Sequence, residues 1–307
     1  MVSDACRWWS TRLEKKEVRN LSALTTGEIL EKVSDSGIAK AEGKTSRLLI
    51  WALLAGAYIA FGAQASQMVS FNLLADPASL GVGRLVSAAV FPVGLMMVVL
   101  CGAELFTGNC LMIIGVLDRK IRISGMLRNW VLVYLGNFLG ALLVVALMKS
   151  TGLWETGSGL LGASVIKTAQ AKVQLSFGQA FVRGILCNWL VCLAVWMSTG
   201  ARETVSKIFA IWFCIGLFVI SGFEHSIADI YFGVSGLLTM DKYGISAPEL
   251  TTAAFLLKNL LPVTLGNIVG GAGIVGCGYW AVYLRHTPGF AEPIEAEQEE
   301  IDGAEEY

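Results

Sequence analysis

Long uncharged runs of apolar residues dominate the pattern of this chain and predict helices that cross a lipid bilayer. One crossing needs about 20 apolar residues. Runs close to this length predict four membrane spans, at Leu48–Ala75, Asn129–Met148, Gly184–Ala201 and Asn259–Leu284. The chain is therefore predicted to be an all-α membrane protein.

Two further apolar runs, at Gly83–Leu117 and Lys207–Met240, are interrupted halfway by glycine and acidic residues. The interruptions match, because "CGAELFT" at 101–107 and "SGFEHSI" at 221–227 both place a glycine two residues before a glutamate. A broken helix frees backbone groups that must be covered by protein or by a water-filled cavity. We interpret these runs as two interrupted spans that line a pore.

A sequence repeat relates the third span to the sixth. "LRNWVLVYLGNFLGALLVV" at 127–145 and "LKNLLPVTLGNIVGGAGIV" at 257–275 share leucine, asparagine, valine and glycine positions at one constant offset. Three helices in each half mean that the halves insert upside down relative to each other. Independent selection of small residues for helix packing explains the glycines. It does not explain two helices interrupted at matching places.

Composition supports the membrane assignment. Hydrophobic residues make up 55% of the 307, charged residues make up 15%, and the mean hydropathy is +0.63. The net charge of −1 hides an acidic tail, "AEPIEAEQEEIDGAEEY", and no remaining basic patch suits nucleic acid. The seven cysteines show no metal-ligand spacing. We expect no nucleic-acid partner, no metal and no cofactor.

Lysine and arginine residues predict the orientation in the membrane. Most of them fall on the side that carries the N-terminus, which is the cytoplasmic side by the positive-inside rule. The N-terminal stretch also lacks the apolar run of a signal peptide. We expect a multi-pass protein of the cell (inner or cytoplasmic) membrane with both termini in the cytoplasm. Its predicted parts are a cytoplasmic N-terminal segment at 1–46, a six-span channel domain at 47–285 and an acidic disordered tail at 286–307.

An amphipathic helix is predicted ahead of the first span. Leu24, Ile29, Val33 and Ile38 are spaced along one face, and Thr25–Glu28 forms a capping box. A helix of this kind is typical of a segment that lies on the membrane surface.

The interruptions carry the candidate chemistry. His225 and Glu224 lie in the second one, and ionisable groups at this depth are candidates for function; a neutral histidine acting as a structural strut is the alternative. Glu224 and its counterpart Glu104 are interpreted as braces that accept hydrogen bonds from freed loop amides, because a carboxylate facing the route would repel an anion. Thr107 offers a hydroxyl from the first interruption, although such a threonine commonly bonds its own backbone.

Half-helices that begin inside the membrane indicate the charge of the solute. Their free N–H groups and the positive ends of their dipoles face the cavity, which favours an anion. The predicted solute is small and negative.

Four motifs in this order resemble the formate/nitrite transporter family: "CGAELFTGN", "GILCNWLVCLAVWM", "FVISGFEHSIA" and "VTLGNIVGG". The resemblance covers about Leu24–Tyr283. It implies an aquaporin-like six-helix bundle with inverted three-helix repeats and two interrupted helices, assembled in the lipid bilayer as a homopentamer with one pore per subunit. The paired Asn-Pro-Ala motif of aquaporins is absent. The family carries small anions of weak acids, such as formate, nitrite and hydrosulfide, often with protons. The resemblance also allows a pH-sensitive gating role for the amphipathic helix ahead of the first span, as an alternative to a helix that lies on the membrane surface.

Residue by residue, the resemblance places the family's central histidine on His225 and the facing threonine on Thr107. It places the asparagine of the fourth span on Asn188 and the vestibule lysine on Lys172, with Lys167 close by. Five large apolar residues correspond to the family's constrictions: Phe91 and Phe218 toward the outside, and Leu95, Phe106 and the neighbouring Leu105 toward the cytoplasm. On composition alone they would be assigned to the hydrophobic core.

The chain departs from the family at one visible position. Where many members read "HSIAN" it reads "HSIAD", which puts Asp229 in place of an amide about one helical turn beyond His225. The extra acid is expected to change either the protonation of His225 or the rate of transport.

These observations predict a channel for small weak-acid anions. Formate is favoured on size and family frequency, with nitrite or hydrosulfide as alternatives. A bare anion in an apolar constriction is very costly, so we expect a positive vestibule to attract the anion and a proton from water or from His225 to neutralise it. Conduction of the anion past a protonated His225 is the alternative mechanism.

Two other classes of protein compete with this prediction. A membrane enzyme would need Glu224 and His225 as an acid–base pair, but the chain offers no matching nucleophile or metal set and has only two histidines. We therefore expect no enzyme activity. A facilitator for neutral solutes such as water or glycerol would use the same fold.

Overall fold

The computed structural model describes residues 23–243 and 245–283. Within these ranges the chain is helical and contains no β-strand, and six helices are long and apolar enough to cross a membrane. The predicted all-α class and the six spans are therefore confirmed. The tail predicted to be disordered, at 286–307, lies outside the described residues.

The first half of the chain contains a short helix, a full span, an interrupted span and a second full span. Its helices are α1 (Thr26–Glu42), α2 (Thr45–Ser70), α3 (Leu80–Val90), α4 (Val93–Leu100), α5 (Phe106–Asn109), α6 (Ile113–Leu117) and α7 (Ile123–Thr151). Short 3-10 turns lie at Pro77–Ser79 and Cys110–Met112.

The second half repeats this order. Its helices are α8 (Leu160–Val173), α9 (Phe177–Gly200), α10 (Thr204–Ser221), α11 (Ser226–Tyr243), α12 (Thr252–Ala254), α13 (Leu261–Ile268) and α14 (Cys277–Val282). A 3-10 turn lies at Leu153–Glu155, and π-helical segments at Phe255–Leu260 and Val269–Gly276 join α12 to α14 into one span.

Both predicted helix breaks are present, at 101–105 and 222–225. Gly102 and Gly222 have φ values of +74° and +71°. A Cβ at either glycine would meet nothing within 4 Å, so the left-handed backbone, rather than lack of space, favours glycine there. This explains why a glycine precedes each glutamate by two residues.

Glycines also allow the long helices of each half to cross closely. A Cβ added to Gly140 on α7 would lie 1.9 Å from the backbone oxygen of Leu53 on α2. In the second half, a Cβ on Gly270 would lie 2.1 Å from the backbone oxygen of Ile185 on α9. The same close crossing thus occurs twice, as an inverted repeat requires.

Helix α1 covers one end of the bundle. It begins with the predicted capping box, in which the Glu28 backbone N–H donates to Thr25 Oγ1 (3.3 Å) and the Thr25 backbone N–H donates to Glu28 Oε2 (2.7 Å). Ile29, Leu30 and Val33 are buried in the same core as the spans. The apolar face of α1 therefore packs on the channel, which argues against a helix that merely lies on the membrane surface.

Polar contacts fix α1 against its neighbours. Lys120 forms an ion pair with Asp35, and Arg128, near the start of α7, donates to the backbone oxygens of Ala41 and Gly43 at 3.1 Å each. The end of α1 is thus held to the same helix that lines the first break.

Helix α8 occupies the corresponding place in the second half. Gln170 on α8 and Gln174, the C-cap residue of α8, donate to Glu249 Oε1 at 2.6 and 2.8 Å. These hydrogen bonds, the one from Gln170 first, hold the pKa of the Glu249 carboxyl below its usual range. The loop before the last span therefore anchors α8.

The close crossing of α2 and α7 gives a first prediction. Gly140→Ala should destabilise the protein by about 1–3 kcal/mol, because the new methyl group collides with backbone that cannot move away. Scanning fluorimetry in detergent should show a clearly lower melting temperature. Gly278→Ala is the matched control, since a Cβ there meets nothing within 4 Å. Equal melting temperatures of the two variants would show that the crossing tolerates a side chain.

Candidate functional site

Two cavities enter the bundle from opposite ends and approach each other at the helix breaks. The α1-side cavity has a volume of about 420 Å³, and Lys40, Glu104 and Leu105 are among its lining residues. The α8-side cavity has a volume of about 540 Å³, and Lys172 and His225 are among its lining residues. The two cavities share no lining residue, so packed side chains separate them.

Thr107 and His225 meet between the two cavities. Thr107 Oγ1 lies 2.9 Å from His225 Nε2, and both side chains are buried. Thr107 is the second residue of α5, and His225 immediately precedes α11. The starts of the two half-helices therefore bring the predicted pair together at the centre of the molecule.

The hydrogen bonds of His225 define its tautomer. The backbone N–H of Ala228 donates to His225 Nδ1 at 3.1 Å, so Nδ1 is an acceptor and carries no proton in this arrangement. The ring proton therefore resides on Nε2, which donates to Thr107 Oγ1. This arrangement contains a neutral imidazole.

An aromatic pair lies beside His225 in the lining of the α8-side cavity. The rings of Phe91 and Phe218 meet edge to face with centroids 5.5 Å apart, and Phe218 stacks on His225 at 6.0 Å. Phe91, Phe218 and His225 all line the α8-side cavity. The structure thus brings together the two phenylalanines that were predicted as the outer constriction.

The structure places the residues predicted for the other constriction in two different surroundings. Leu95 and Leu105 line the α1-side cavity. Phe106 is not among its lining residues and packs edge to face on Trp130 and Tyr134, at centroid distances of 6.1 and 5.0 Å. Of the three predicted residues, the two leucines therefore face this cavity and Phe106 does not.

Asn137 on α7 satisfies the backbone of the first break. Its Oδ1 accepts from the Phe106 backbone N–H at 2.9 Å. Its Nδ2 donates to the backbone oxygens of Ala52 and Glu104 at 2.7 and 2.9 Å. One fully buried side chain thus pairs three backbone groups.

Asn267 on α13 does the same for the second break. Its Oδ1 accepts from the Ser226 backbone N–H at 2.9 Å, and its Nδ2 donates to the backbone oxygens of Gly184 and Glu224 at 2.8 and 3.1 Å. The two asparagines are the pair that recurs in the sequence repeat.

Asn188 on α9 supports the centre from behind. Its Nδ2 donates to the backbone oxygens of Thr107 (3.2 Å) and Asn267 (2.7 Å). The side chain is fully buried and lines neither cavity. In this arrangement it positions Thr107 rather than facing a solute directly.

Glu104 belongs to a polar cluster on the α1 side. Lys40 on α1 donates to both carboxylate oxygens of Glu104, at 2.7 and 2.8 Å, and to Asn109 Oδ1 at 2.8 Å. Asn109 Nδ2 donates to Glu104 Oε2 (2.6 Å) and to Asn129 Oδ1 (2.9 Å). We call Lys40, Glu104, Asn109 and Asn129 the inner cluster.

Glu224 belongs to the equivalent cluster on the α8 side. Lys172 on α8 bridges two carboxyl groups, with Nζ 2.8 Å from Glu224 Oε2 and 2.6 Å from Asp229 Oδ1. Asn259 Nδ2 donates to Glu224 Oε2 at 3.2 Å. We call Lys172, Glu224, Asp229 and Asn259 the outer cluster.

The interpretation of the two glutamates needs a correction. Glu104 and Glu224 were expected to accept hydrogen bonds from freed loop amides, but in both clusters the donors are lysine and asparagine side chains. The freed backbone N–H groups of Phe106 and Ser226 donate to asparagine side chains instead. The glutamates therefore fasten each break to a short peripheral helix.

Basic residues surround the entrance on the α8 side. Arg84, Lys167 and Arg183 are exposed and line the α8-side cavity. Lys172 lies deeper and is paired with carboxylates. The positive charge at this entrance therefore comes chiefly from the three exposed residues, two of which the sequence interpretation did not assign to the vestibule.

Fold and site together define an aquaporin-like membrane channel with two interrupted helices. The family model described as "Formate/nitrite transporter" matches residues 27–281. The chain belongs to the formate/nitrite transporter family, which consists of channels and transporters and not of enzymes.

Several relatives and a solved structure are similar to the chain. It is 41% identical over 266 residues to a "Probable formate transporter" of Methanothermobacter thermautotrophicus, covering 81% of this chain and 94% of that one. It is 41% identical over 218 residues to "Formate channel FocA" of Escherichia coli (strain K12), covering 67% and 76%. The solved structure "Pentameric formate channel with formate bound" matches with a TM-score of 0.70 and 34% identity, covering 78% of this chain and 98% of that chain.

The role of the buried asparagines gives a second prediction. Asn267→Leu should destabilise the protein by about 2–4 kcal/mol, because the Ser226 N–H and two carbonyl groups lose their partner in a dry environment. Scanning fluorimetry in detergent measures the effect as a lower melting temperature. Asn72→Leu is the control, since Asn72 is exposed and bonds only its neighbouring backbone. Unchanged melting of the Asn267 variant would mean that the break has other support.

Proposed function

We propose that this protein is a membrane channel for formate, which crosses as the neutral acid past His225. The observation that carries the proposal is the buried imidazole of His225, which is hydrogen-bonded to Thr107 and lies in one cavity with the aromatic pair, while two leucines line the cavity that enters from the other end. Formate is the solute named for several similar proteins. Nitrite and hydrosulfide are the alternative solutes.

The orientation follows from the distribution of basic residues. The α1-side cavity faces the cytoplasm and the α8-side cavity faces the outside, with both termini in the cytoplasm. In this proposal the chain divides into a cytoplasmic N-terminal segment (1–46), a channel domain (47–285) and a cytoplasmic tail (286–307). The membrane is the cell (inner or cytoplasmic) membrane, and the channel assembles as a homopentamer, in keeping with the pentameric formate channel that the chain resembles.

Electrostatics explains why the anion approaches easily. Arg84, Lys167 and Arg183 surround the outer cavity and raise the local concentration of small anions. Where Phe91 and Phe218 pack together the route is apolar, and an isolated charge there would be strongly disfavoured. The solute therefore gains a proton before it passes the aromatic pair.

The hydrogen bonds of His225 favour this order of events over anion conduction past an imidazolium. A second ring proton on Nδ1 would displace the hydrogen bond from the Ala228 backbone N–H and would leave that amide facing a cation. A neutral imidazole keeps both of its hydrogen bonds. In this proposal water supplies the proton on the outer side, and His225 with Thr107 offers hydrogen bonds to the acid as it passes.

The other predicted residues have supporting roles in the proposal. Leu95 and Leu105 form the inner constriction, and Phe106 shapes it from behind through its packing on α7. Asn188 positions Thr107. Lys172 with Glu224, and Lys40 with Glu104, hold the two breaks in place.

The proposal is tested by formate flux in proteoliposomes. Wild-type vesicles should swell quickly in a formate gradient and show little added water permeability. His225→Phe should lose most of the flux, because the variant keeps an aromatic ring but loses the hydrogen bonds of the imidazole. His286→Phe, which changes the only other histidine, is the control. Full formate flux with an unchanged pH profile in His225→Phe would remove the imidazole from the mechanism.

A further inference from the structure

Asp229 occupies in the outer cluster the place that Asn109 occupies in the inner cluster. Each follows the cluster's glutamate by five residues. Each also accepts from the cluster's lysine through Oδ1, at 2.8 Å from Lys40 for Asn109 and 2.6 Å from Lys172 for Asp229. The clusters therefore share one geometry and differ in one functional group.

This difference changes the charge of the outer cluster. Lys40 and Glu104 sum to zero in the inner cluster. With both carboxyl groups ionised, Lys172, Glu224 and Asp229 sum to −1. Asp229 is only 1% exposed and Glu224 is 6% exposed. An uncompensated negative charge at such a buried position is strongly disfavoured.

Two polar atoms in the outer cluster have no hydrogen-bond partner, which indicates that a donor is missing between them. In the inner cluster, Asn109 Nδ2 donates to Glu104 and to Asn129 Oδ1. In the outer cluster, Asp229 Oδ2 takes the place of that nitrogen and has no partner, and Asn259 Oδ1, the equivalent of Asn129 Oδ1, has none either. A hydrogen atom on Asp229 Oδ2 would restore a donor at the position where the inner cluster has one.

We propose that Asp229 is a proton-binding site, at which one proton is held on Oδ2 and donated either to Glu224 or to Asn259 Oδ1. The protonated aspartic acid then mimics Asn109, and the outer cluster becomes neutral. The proton comes from water in the outer cavity, which Asp229 itself lines. The functional consequence below rests on the proposed formate channel.

The groups around Asp229 leave the carboxyl pair as the place for the proton. The ammonium group of Lys172 on α8 pairs with the carboxyl groups of both Glu224 and Asp229. Tyr134 on α7 and Cys187 on α9 are within reach of the charge of Asp229, and as weak acids both keep their protons in a buried site. His225 has both ring nitrogens engaged.

Loss of this proton would act on transport. The cluster would gain a negative charge beside Lys172 and His225, where the anion approaches, and like charges repel. Formate flux should therefore fall as the outer pH rises through the range in which Asp229 releases its proton. The inner cluster, with an amide at the equivalent position, lacks this response.

Infrared difference spectroscopy tests the site without any transport. A pH step on purified protein should change a band of a protonated carboxylic acid, and this band should be lost in Asp229→Asn and kept in Asp76→Asn, which alters an exposed aspartate. In wild-type protein expressed with aspartate that carries carbon-13 in its side-chain carboxyl group, the same band should shift to lower frequency. This second measurement needs no variant. An acid band that neither the variant nor the label moves would overturn the proposal.

Formate flux against outer pH is the second readout. Asp229→Asn should flatten the fall in flux at alkaline pH, because its cluster is neutral at every pH, and Asp76→Asn should retain it. An unchanged alkaline fall in Asp229→Asn would contradict the role in transport. If wild-type vesicles carry no formate at all, the proposed channel function fails while the infrared result still decides whether Asp229 binds a proton.

Discussion

Every backbone group that a helix break frees inside a membrane must find a hydrogen-bond partner within the protein, and the structure of this channel depends on that constraint. Asn137 and Asn267 each supply three such bonds from a neighbouring span. Because the breaks are held in this way, two half-helices can begin at the centre of the molecule. Their starts bring Thr107 to His225, which neither half could do alone.

The short helices α1 and α8 are joined to the two breaks by ion pairs. Each extends one lysine to the glutamate of a break, and removal of one partner from such a buried pair leaves an uncompensated charge. The lysines therefore bind the periphery of the molecule to its pore. The two clusters follow the same plan, so the acid at Asp229, in place of the amide at Asn109, is the feature that distinguishes the outer cluster.

Much of this fold could be predicted from the sequence because the bilayer imposes simple rules. The lengths of apolar runs, the two interruptions and the glycine before each glutamate all report local constraints, and the helices follow them. The partners of the glutamates could not be predicted in this way. Lys40 follows the buried Val33 by seven residues and so lies on the same face of α1, but only the packing of α1 onto the first break brings its ammonium group to Glu104.

The repeat nevertheless contained a usable signal. Asn129 and Asn137 recur as Asn259 and Asn267 at one offset, and a buried asparagine that recurs in this way needs a hydrogen-bonding role. No such signal was available for Phe106. Its size and position suited a constriction, but its ring packs on Trp130 and Tyr134 instead.

The central claim is that the solute passes His225 as a neutral acid. Simultaneous recording of formate uptake and internal pH in proteoliposomes, with the membrane potential clamped, tests it most directly. The account predicts that one proton enters with each formate and that the uptake carries no current. Formate uptake that carries current and moves no proton would contradict it.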